Sequence, residues 1–339
     1  MARETAEAPD AVARLLDREG AAIGALGRRL AGMAPPVVVT CARGSSDHAA
    51  HYLKYVLEML VGVPVASVGP SVASVYGTAL KLCGAVVVTI SQSGRSPDLV
   101  AFQAAARAGG ALAVALVNDT TGPVAGEADV VVPLHAGPEA SVAATKSFVA
   151  SCAAAAALVA AWSGAGGSGD GSLERALGGL PGCLTAALTA DWSAAGGVIG
   201  AAASSYMLGR GPALAIAHEA ALKAKEVAGR HAEAFSLAEV MHGPLQLVGP
   251  GFPVLAFVPD DAALAENRAA LARLEAVGGT VLSAGPVAGA TMAVPGCGHG
   301  ALDPLGMILA YYRMIEAVAR ARGLDPDRPS HLAKVTKTV

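Results

Sequence analysis

The chain has 339 residues, of which 53% are hydrophobic, 15% charged and only 4% aromatic, with a formal net charge of −3. That balance excludes a basic footprint for nucleic acid and leaves few rings on which bases could stack. The length allows one large core or two of ordinary domain size. The longest apolar run, Phe148 to Trp162, is alanine-rich and broken by Ser151. It is shorter than the ~20 residues a spanning helix needs, so it reads as a buried helix and no membrane partner is expected. The opening "MARETAEAPD" has no apolar signal-peptide core. Five scattered cysteines (Cys41, Cys83, Cys152, Cys183 and Cys297), with no CxxC pair, fit reduced thiols in the cytoplasm better than a disulfide framework or a zinc site.

In chain order, Val12, Leu15, Leu16, Ile23, Leu26 and Leu30 recur at helical spacing and predict an N-terminal helix. Strands are expected at Val37–Thr40, Val65–Val68, Ala85–Ile90, Leu112–Val117 and Val130–Leu134. Helices are expected at His48–Leu60, with Tyr52, Tyr55 and Met59 on one side, and over "DLVAFQAAARAGG". Alternation of this kind predicts a parallel sheet covered by helices on both faces, an α/β fold.

Within this pattern "VTISQSGRSPDLV", from Val88 to Val100, reads as strand, serine-rich turn and helix, with Pro97 at the first helical position and Asp98 in the first turn. Hydroxyls and backbone N–H groups at the positive end of a helix suit a phosphate, although serine is also an ordinary helix cap.

"SGAGGSGDGS", from Ser163 to Ser172, is the clearest linker. Beyond it the plan begins again: "SSYMLGRGPALAIAHEAALKAKEVA" repeats "PVVVTCARGSSDHAAHYLKYVLEML". Gly44 and Gly211 stand 167 residues apart, and the same offset carries Ile90 to Phe257. Two copies of one unit are the economical reading. Where the first copy has Ser91-Gln92-Ser93-Gly94, the second has Val258-Pro259-Asp260-Asp261, whose carboxylates repel phosphate. Only the first copy is expected to hold one.

The densest polar cluster runs from His218 to Pro244. Glu219, Lys223, Glu226 and Arg230 are expected on one helix face, which in an isolated helix is a solvated, salt-bridged surface. Charge is scarce elsewhere, however, and "EVMHGP" places a histidine where a helix must stop. A carboxylate, a lysine and a loop histidine suit proton transfer next to a carbonyl. No metal-ligand spacing or dinucleotide fingerprint is present, and this chemistry asks for no cofactor.

"ARGSS", "SQSGRSPD", "EASVAATKSF", "ALKAKE", "HAEAF", "HGPLQLV" and the terminal "LAKVTKT" occur in the order found in the sugar-isomerase (SIS) family. From about Val37 to its end the chain resembles the isomerase half of glucosamine-6-phosphate synthase and its stand-alone relatives. The resemblance implies two tandem SIS subdomains, each a parallel five-stranded sheet flanked by helices, in a homodimer. The implied boundaries are an N-terminal helical segment (1–33), a first SIS subdomain with the phosphate site (34–165) and a linker and helix (166–192). A second SIS subdomain with the catalytic helix (193–322) and a tail closing the site (323–339) complete the chain.

By the same resemblance Ser45, Ser46, Ser91, Gln92, Ser93 and Ser96 bind a hexose or hexosamine 6-phosphate, with Ser91, Ser93 and Ser96 on the phosphate and Val142 near the sugar. Glu226 moves a proton between C1 and C2 with Lys223 as its helper. His242 assists ring opening from the partner subunit, and Lys334 is also assigned to ring opening, with Lys337 left open beside it. His231 and Glu233 are taken as structural. Arg43 and Ala144 depart from the synthase pattern and are read as possible substrate-selecting positions, Arg43 alternatively as a plain salt-bridge partner.

Ala2 follows Met1 where the synthase's glutaminase domain begins with a nucleophilic cysteine. The expected reaction is therefore ammonia release, from glucosamine 6-phosphate to fructose 6-phosphate. The alternatives are a deglycase acting on a phosphorylated sugar–amine adduct, a ketose–aldose isomerase without nitrogen chemistry, and a non-catalytic sugar-phosphate sensor.

Overall fold

The computed structural model describes residues 1–334. Two helices, α1 (Ala2–Ala6) and α2 (Ala8–Met33), precede a first run of β1 (Val38–Cys41), α3 (Ser45–Leu60), β2 (Val65–Ser67), α4 (Ser71–Ser74), β3 (Val86–Ser91), α5 (Pro97–Ala108), β4 (Leu112–Val117), α6 (Pro123–Gly126) and β5 (Val130–Pro133). Then come α7 (Lys146–Gly166), α8 (Ser172–Ala187) and α9 (Ser193–Ala201). The second run is β6 (Ser204–Gly209), α10 (Pro212–Ala228), β7 (His231–Ser236), β8 (Pro253–Phe257), α11 (Leu264–Ala276), β9 (Thr280–Gly285) and β10 (Met292–Ala293), closed by α12 (Asp303–Ala321).

The two sheets have five strands each, in the orders β2-β1-β3-β4-β5 and β7-β6-β8-β9-β10, and all pairings are parallel. The same order in both runs is the structural form of the repeat. Every residue of β3 and β4 is buried, as expected of β-branched strands covered on both faces. Phe102, Leu99 and Ala106 of α5 pack against Val87, Ala115 and Val117 in the first core. Phe102 is fully buried, and burial of that kind stabilises by about 1.5–3 kcal/mol. Tyr206, Leu208, Val254, Leu271 and Leu274 play the same part in the second core.

The residues group into two compact units. One comprises 10–139, 146–177 and the tail from Ala333; the other comprises 1–9, 140–145 and 178–332. The loop 140–145 and the described residues from Ala333 thus belong to a different unit from the residues that precede them.

Three differences from the sequence-based expectations have physical causes. Helix α3 starts at Ser45, three residues before His48, because Gly44 turns the chain straight out of the strand segment at φ 54° and ψ −131°. A side chain rarely adopts that backbone conformation. Helices α7 and α8 extend into the expected linker and leave only residues 167–171 between them. Cys183, on α8, and Cys297, beyond β10, form a disulfide, which corrects the expectation of five reduced thiols. The fold of their unit brings two cysteines 114 residues apart in sequence to a Cα–Cα distance of 5.4 Å, a proximity that spacing alone does not reveal. Among the described residues α7 is the one helix long and apolar enough to cross a membrane, and 78% of its most apolar window is buried inside the protein.

Candidate active site

The first sheet changes direction between β1 and β3, where successive connections diverge and open a crevice at the strands' carboxyl ends. The serine-rich turn lies there. Ser91 is the last residue of β3, buried and in register with Val117 of β4. Its Oγ accepts the Gly94 N–H at 3.0 Å, which fixes the turn. Gly94 has φ +62°, and a Cβ there would stand 3.1 Å from the Asp119 carbonyl oxygen, so the tight turn requires glycine. Ser93 Oγ accepts the Arg95 N–H at 3.3 Å. Ser96 is the N-cap of α5 but makes no side-chain cap, and Pro97 follows at the first helical position. Gln92 and Ser93 are half-buried. Ser45 and Ser46 begin α3 after Gly44.

The arginines near this turn already have partners. Arg43 donates from Nε to Asp98 Oδ2 at 2.8 Å and pairs through Nη2 at 2.7 Å, and the Asp98 side chain is fully buried. The pair is the salt bridge that one reading of Arg43 expected. It offsets the carboxylate in the first turn of α5, where a bound anion would otherwise meet it. Arg95 is tied to Asp119 and Thr121 at 2.8 and 3.0 Å. Hydrogen bonds from Thr121 and Arg95 hold the Asp119 carboxyl down at about 2.

The second constellation stands on α10. Alanines favour this helix, Pro212 opens it, and Gly229 closes it in the left-handed conformation at φ 58°. Lys223 is buried to 1% exposure and lies between two carboxylates, 3.1 Å from Glu219 Oε1 and 2.7 Å from Glu226 Oε2. Tyr312 of α12 donates its hydroxyl to Glu219 Oε1 at 3.0 Å. Burial alone pulls the lysine pKa down, but the Glu219 and Glu226 charges and hydrogen bonds outweigh it and hold the ammonium above its ordinary value. The result is a line Tyr312–Glu219–Lys223–Glu226, with Glu226 at its accessible end, 22% exposed. A solvated helix face does not bury a lysine and a glutamate fully, so that reading fails here. Arg230 is not part of the line. The helix ends at Ala228, and the Arg230 guanidinium donates to the Gly200 carbonyl at 2.7 and 3.0 Å.

Comparison with known proteins now places the chain. Residues 36–161 and 200–284 match the SIS domain. The chain belongs to the SIS-domain family.

A glutamine–fructose-6-phosphate aminotransferase of Zymomonas mobilis is 31% identical over 312 residues, covering 88% of this chain and 51% of that protein. The chain spans about half the length of the curated relatives it matches. Among solved structures, a candidate phosphosugar isomerase from Silicibacter pomeroyi is 46% identical with a TM-score of 0.89, over 96% of this chain and 99% of that one. The C-terminal domain of glucosamine-fructose-6-phosphate aminotransferase from Francisella tularensis is 25% identical with a TM-score of 0.85, over 96% and 97%.

The remaining expected positions of this SIS chain are as follows. His242 is exposed between two 3₁₀ turns, Glu239–Met241 and Pro244–Leu247. Val142 and Ala144 lie half-buried in the loop 140–145, and the Val142 N–H donates to the Asp327 carbonyl at 3.1 Å. Lys334 Nζ reaches Glu139 Oε2 at 3.0 Å. Lys337 lies outside the described residues. His231 shares a hydrogen bond through Nδ1 with Ser204 Oγ at 2.9 Å, and Glu233 is exposed on β7. Among the described residues no group of three or more His, Cys, Asp or Glu is placed to hold a metal ion.

Sequence reasoning named Glu219 only as part of a charged helix face, and it missed Tyr312 as the partner of Glu219 and Glu139 as the partner of Lys334. The spacing of Glu219 and Lys223 was the available signal for the first. Glu139 begins the "EASVAATKSF" motif, while nothing in the local sequence marks Tyr312.

Proposed function

We propose that the protein converts glucosamine 6-phosphate and water to fructose 6-phosphate and ammonia. The buried Glu219–Lys223 pair behind Glu226 carries this reading. A lysine held charged between two carboxylates orients Glu226 and keeps it acceptor-ready without an exposed cation. In the proposed sequence the ring opens to the aldehyde and Glu226 takes the proton from C2. It returns that proton to C1, leaving a C2 imine. Water hydrolyses the C2=N bond and ammonia departs. The serine turn after β3, with Ser45 and Ser46, anchors the phosphate. Water is the sole further reactant that ammonia release needs.

His242 and Lys334 are assigned to ring opening. His242 and the strongly exposed Leu247 lie on one exposed segment, His242 between the two 3₁₀ turns and Leu247 at the end of the second, which supports a homodimer in which His242 serves the neighbouring copy. The charge of a sugar phosphate retains it in the cytoplasm, and we place the enzyme there.

One observation favours a second reading. A cavity of about 530 Å³ adjoins Glu226, lined by Lys225, Asp325, Arg328, Ser330 and His331 among others. Ammonia needs no such space, whereas the amine of a sugar–amino acid adduct would use both its room and its mixed charges.

The test follows ammonia and fructose 6-phosphate in parallel, from glucosamine 6-phosphate and from an amino acid adduct of fructose 6-phosphate. Equal release from the first supports the deaminase, and turnover of the adduct alone supports the deglycase. Binding of both without turnover leaves the sensor and sinks the catalytic reading.

A further inference from the structure

Glu139 belongs to a motif that the proposed chemistry does not use. Its side chain is fully buried. One oxygen, Oε1, accepts the Ser147 N–H at 3.1 Å, and the other, Oε2, accepts the Ser147 hydroxyl at 2.7 Å. Ser147 is the second residue of α7, so the carboxylate caps that helix at its positive end. These bonds anchor Glu139 from its own side of the fold, whatever the tail does. The same Oε2 receives the ammonium of Lys334 at 3.0 Å, across 195 residues of sequence. Lys334 is 23% exposed and brings its charge to a carboxylate that water does not reach. A fully buried carboxylate gains from a cation brought against it, so the 3.0 Å ion pair favours capture of the tail lysine. Glu139, Ser147 and the tail from Ala333 all belong to one compact unit.

We propose that Glu139 is the positioning residue for Lys334: a carboxylate preset on the first turn of α7 captures the tail ammonium and fixes where that lysine stands. Its catalytic consequence rests on the assignment of Lys334 to ring opening made above; the capture itself does not.

Two readouts separate these layers in the full-length protein. The first is limited trypsinolysis after Lys334, scored by mass as loss of residues 335–339. Glu139→Gln keeps the side-chain shape but removes the charge, and it speeds this cleavage on the order of tenfold. Ser147→Ala, which weakens the anchor and leaves the charge, has a smaller effect. The second is a double-mutant cycle on turnover of the sugar phosphate. Glu139→Gln and Lys334→Met each lower kcat with little change in KM, the pair is no slower than the worse single variant, and Lys334→Arg recovers part of the loss.

If Glu139→Gln lowers the melting temperature but leaves cleavage unchanged, Glu139 merely caps α7 and the proposal is overturned. Additive losses in the cycle overturn it as well. If the wild type turns over no sugar phosphate, the functional reading fails, and the cleavage assay still decides the capture. Should Glu139→Gln not fold, Lys334→Met takes its place. Faster amide exchange over residues 330–334 is then expected, with the first turn of α7 unaffected, and unchanged exchange over 330–334 would be the contrary result.

Discussion

The two repeats share a plan down to single residues, yet they are furnished in opposite ways. Gly44 and Gly211 hold nearly the same backbone angles, φ 54° and ψ −131° against φ 61° and ψ −137°, and each starts the long helix of its repeat. The offset of 167 that relates them carries Tyr52, Val56 and Met59 of α3 onto Glu219, Lys223 and Glu226 of α10. One helix buries an apolar Tyr52–Val56 pair, and the other buries a salt bridge in the same two places.

After the third strand the contrast reverses. The first repeat has its serine turn, and the second has Asp260 and Asp261. There Asp303 Oδ2 accepts the Asp260 N–H at 3.1 Å and Asp261 Oδ1 accepts the Ala263 N–H at 2.9 Å. The second turn is satisfied by the protein's own carboxylates, and an anion would meet their charge. A duplicated scaffold can thus keep its core and place anion binding in one copy and proton transfer in the other. That division is the substance of the proposed function.

The division breaks most sharply at Glu226. Glu226→Gln should lower kcat about 10³-fold, within the range of a lost general base, while glucosamine 6-phosphate still raises the melting temperature. Comparable activity in this variant would remove Glu226 from the chemistry.

Next in size is Lys223→Met, which leaves Glu219 buried without its cation and should cost about 3–5 kcal/mol in denaturant unfolding. Adding Glu219→Leu recasts α10 in the apolar manner of α3. Most of that stability should return while activity stays lost, because an apolar replacement for a buried pair is often neutral or better. A double variant as unstable as the single one would show that the two helices are not equivalent scaffolds.

At the phosphate end, Ser91→Ala and Ser93→Ala should each raise KM roughly tenfold, the worth of a hydrogen bond to a charged group, with kcat nearly kept. Asp261→Ser in the other repeat should leave KM unchanged. Equal effects in both repeats would abolish the asymmetry.

The smallest effect contrasts a buried base with a half-buried one. Carboxylates raise Lys223, whereas His51 of α3 is pushed below its ordinary value of 6.5 by burial, then by His48 and Lys54, with Glu58 opposing. A histidine lowered in the folded state contributes no penalty above its unfolded pKa and lowers stability as pH falls below it. Melting temperature should therefore slip between pH 7 and 5, and His51→Gln should flatten that slope.

The repeat and both sheets were legible because β-branched strands and a glycine pair recur at a fixed offset, and the serine turn because its serines follow a buried strand. The burial of Glu219 and Lys223 was not. Charges at i and i+4 look alike on wet and dry helices, and what makes this face dry includes Tyr312, 93 residues from Glu219. A salt bridge was one of two readings of Arg43, and its partner was unnamed until the fold brought up Asp98 from 55 positions away. The Cys183–Cys297 bond and the Glu139–Lys334 pair likewise depend on contacts that no local spacing announces.

The most direct test of the division uses glucosamine 6-phosphate deuterated at C2, turned over by the wild type and by Glu226→Gln. The account predicts that the wild type slows by a primary isotope effect, that the label leaves C2 for C1 or for water, and that Glu226→Gln does neither at a measurable rate. A wild type indifferent to the label, matched by an equally active Glu226→Gln, would contradict it.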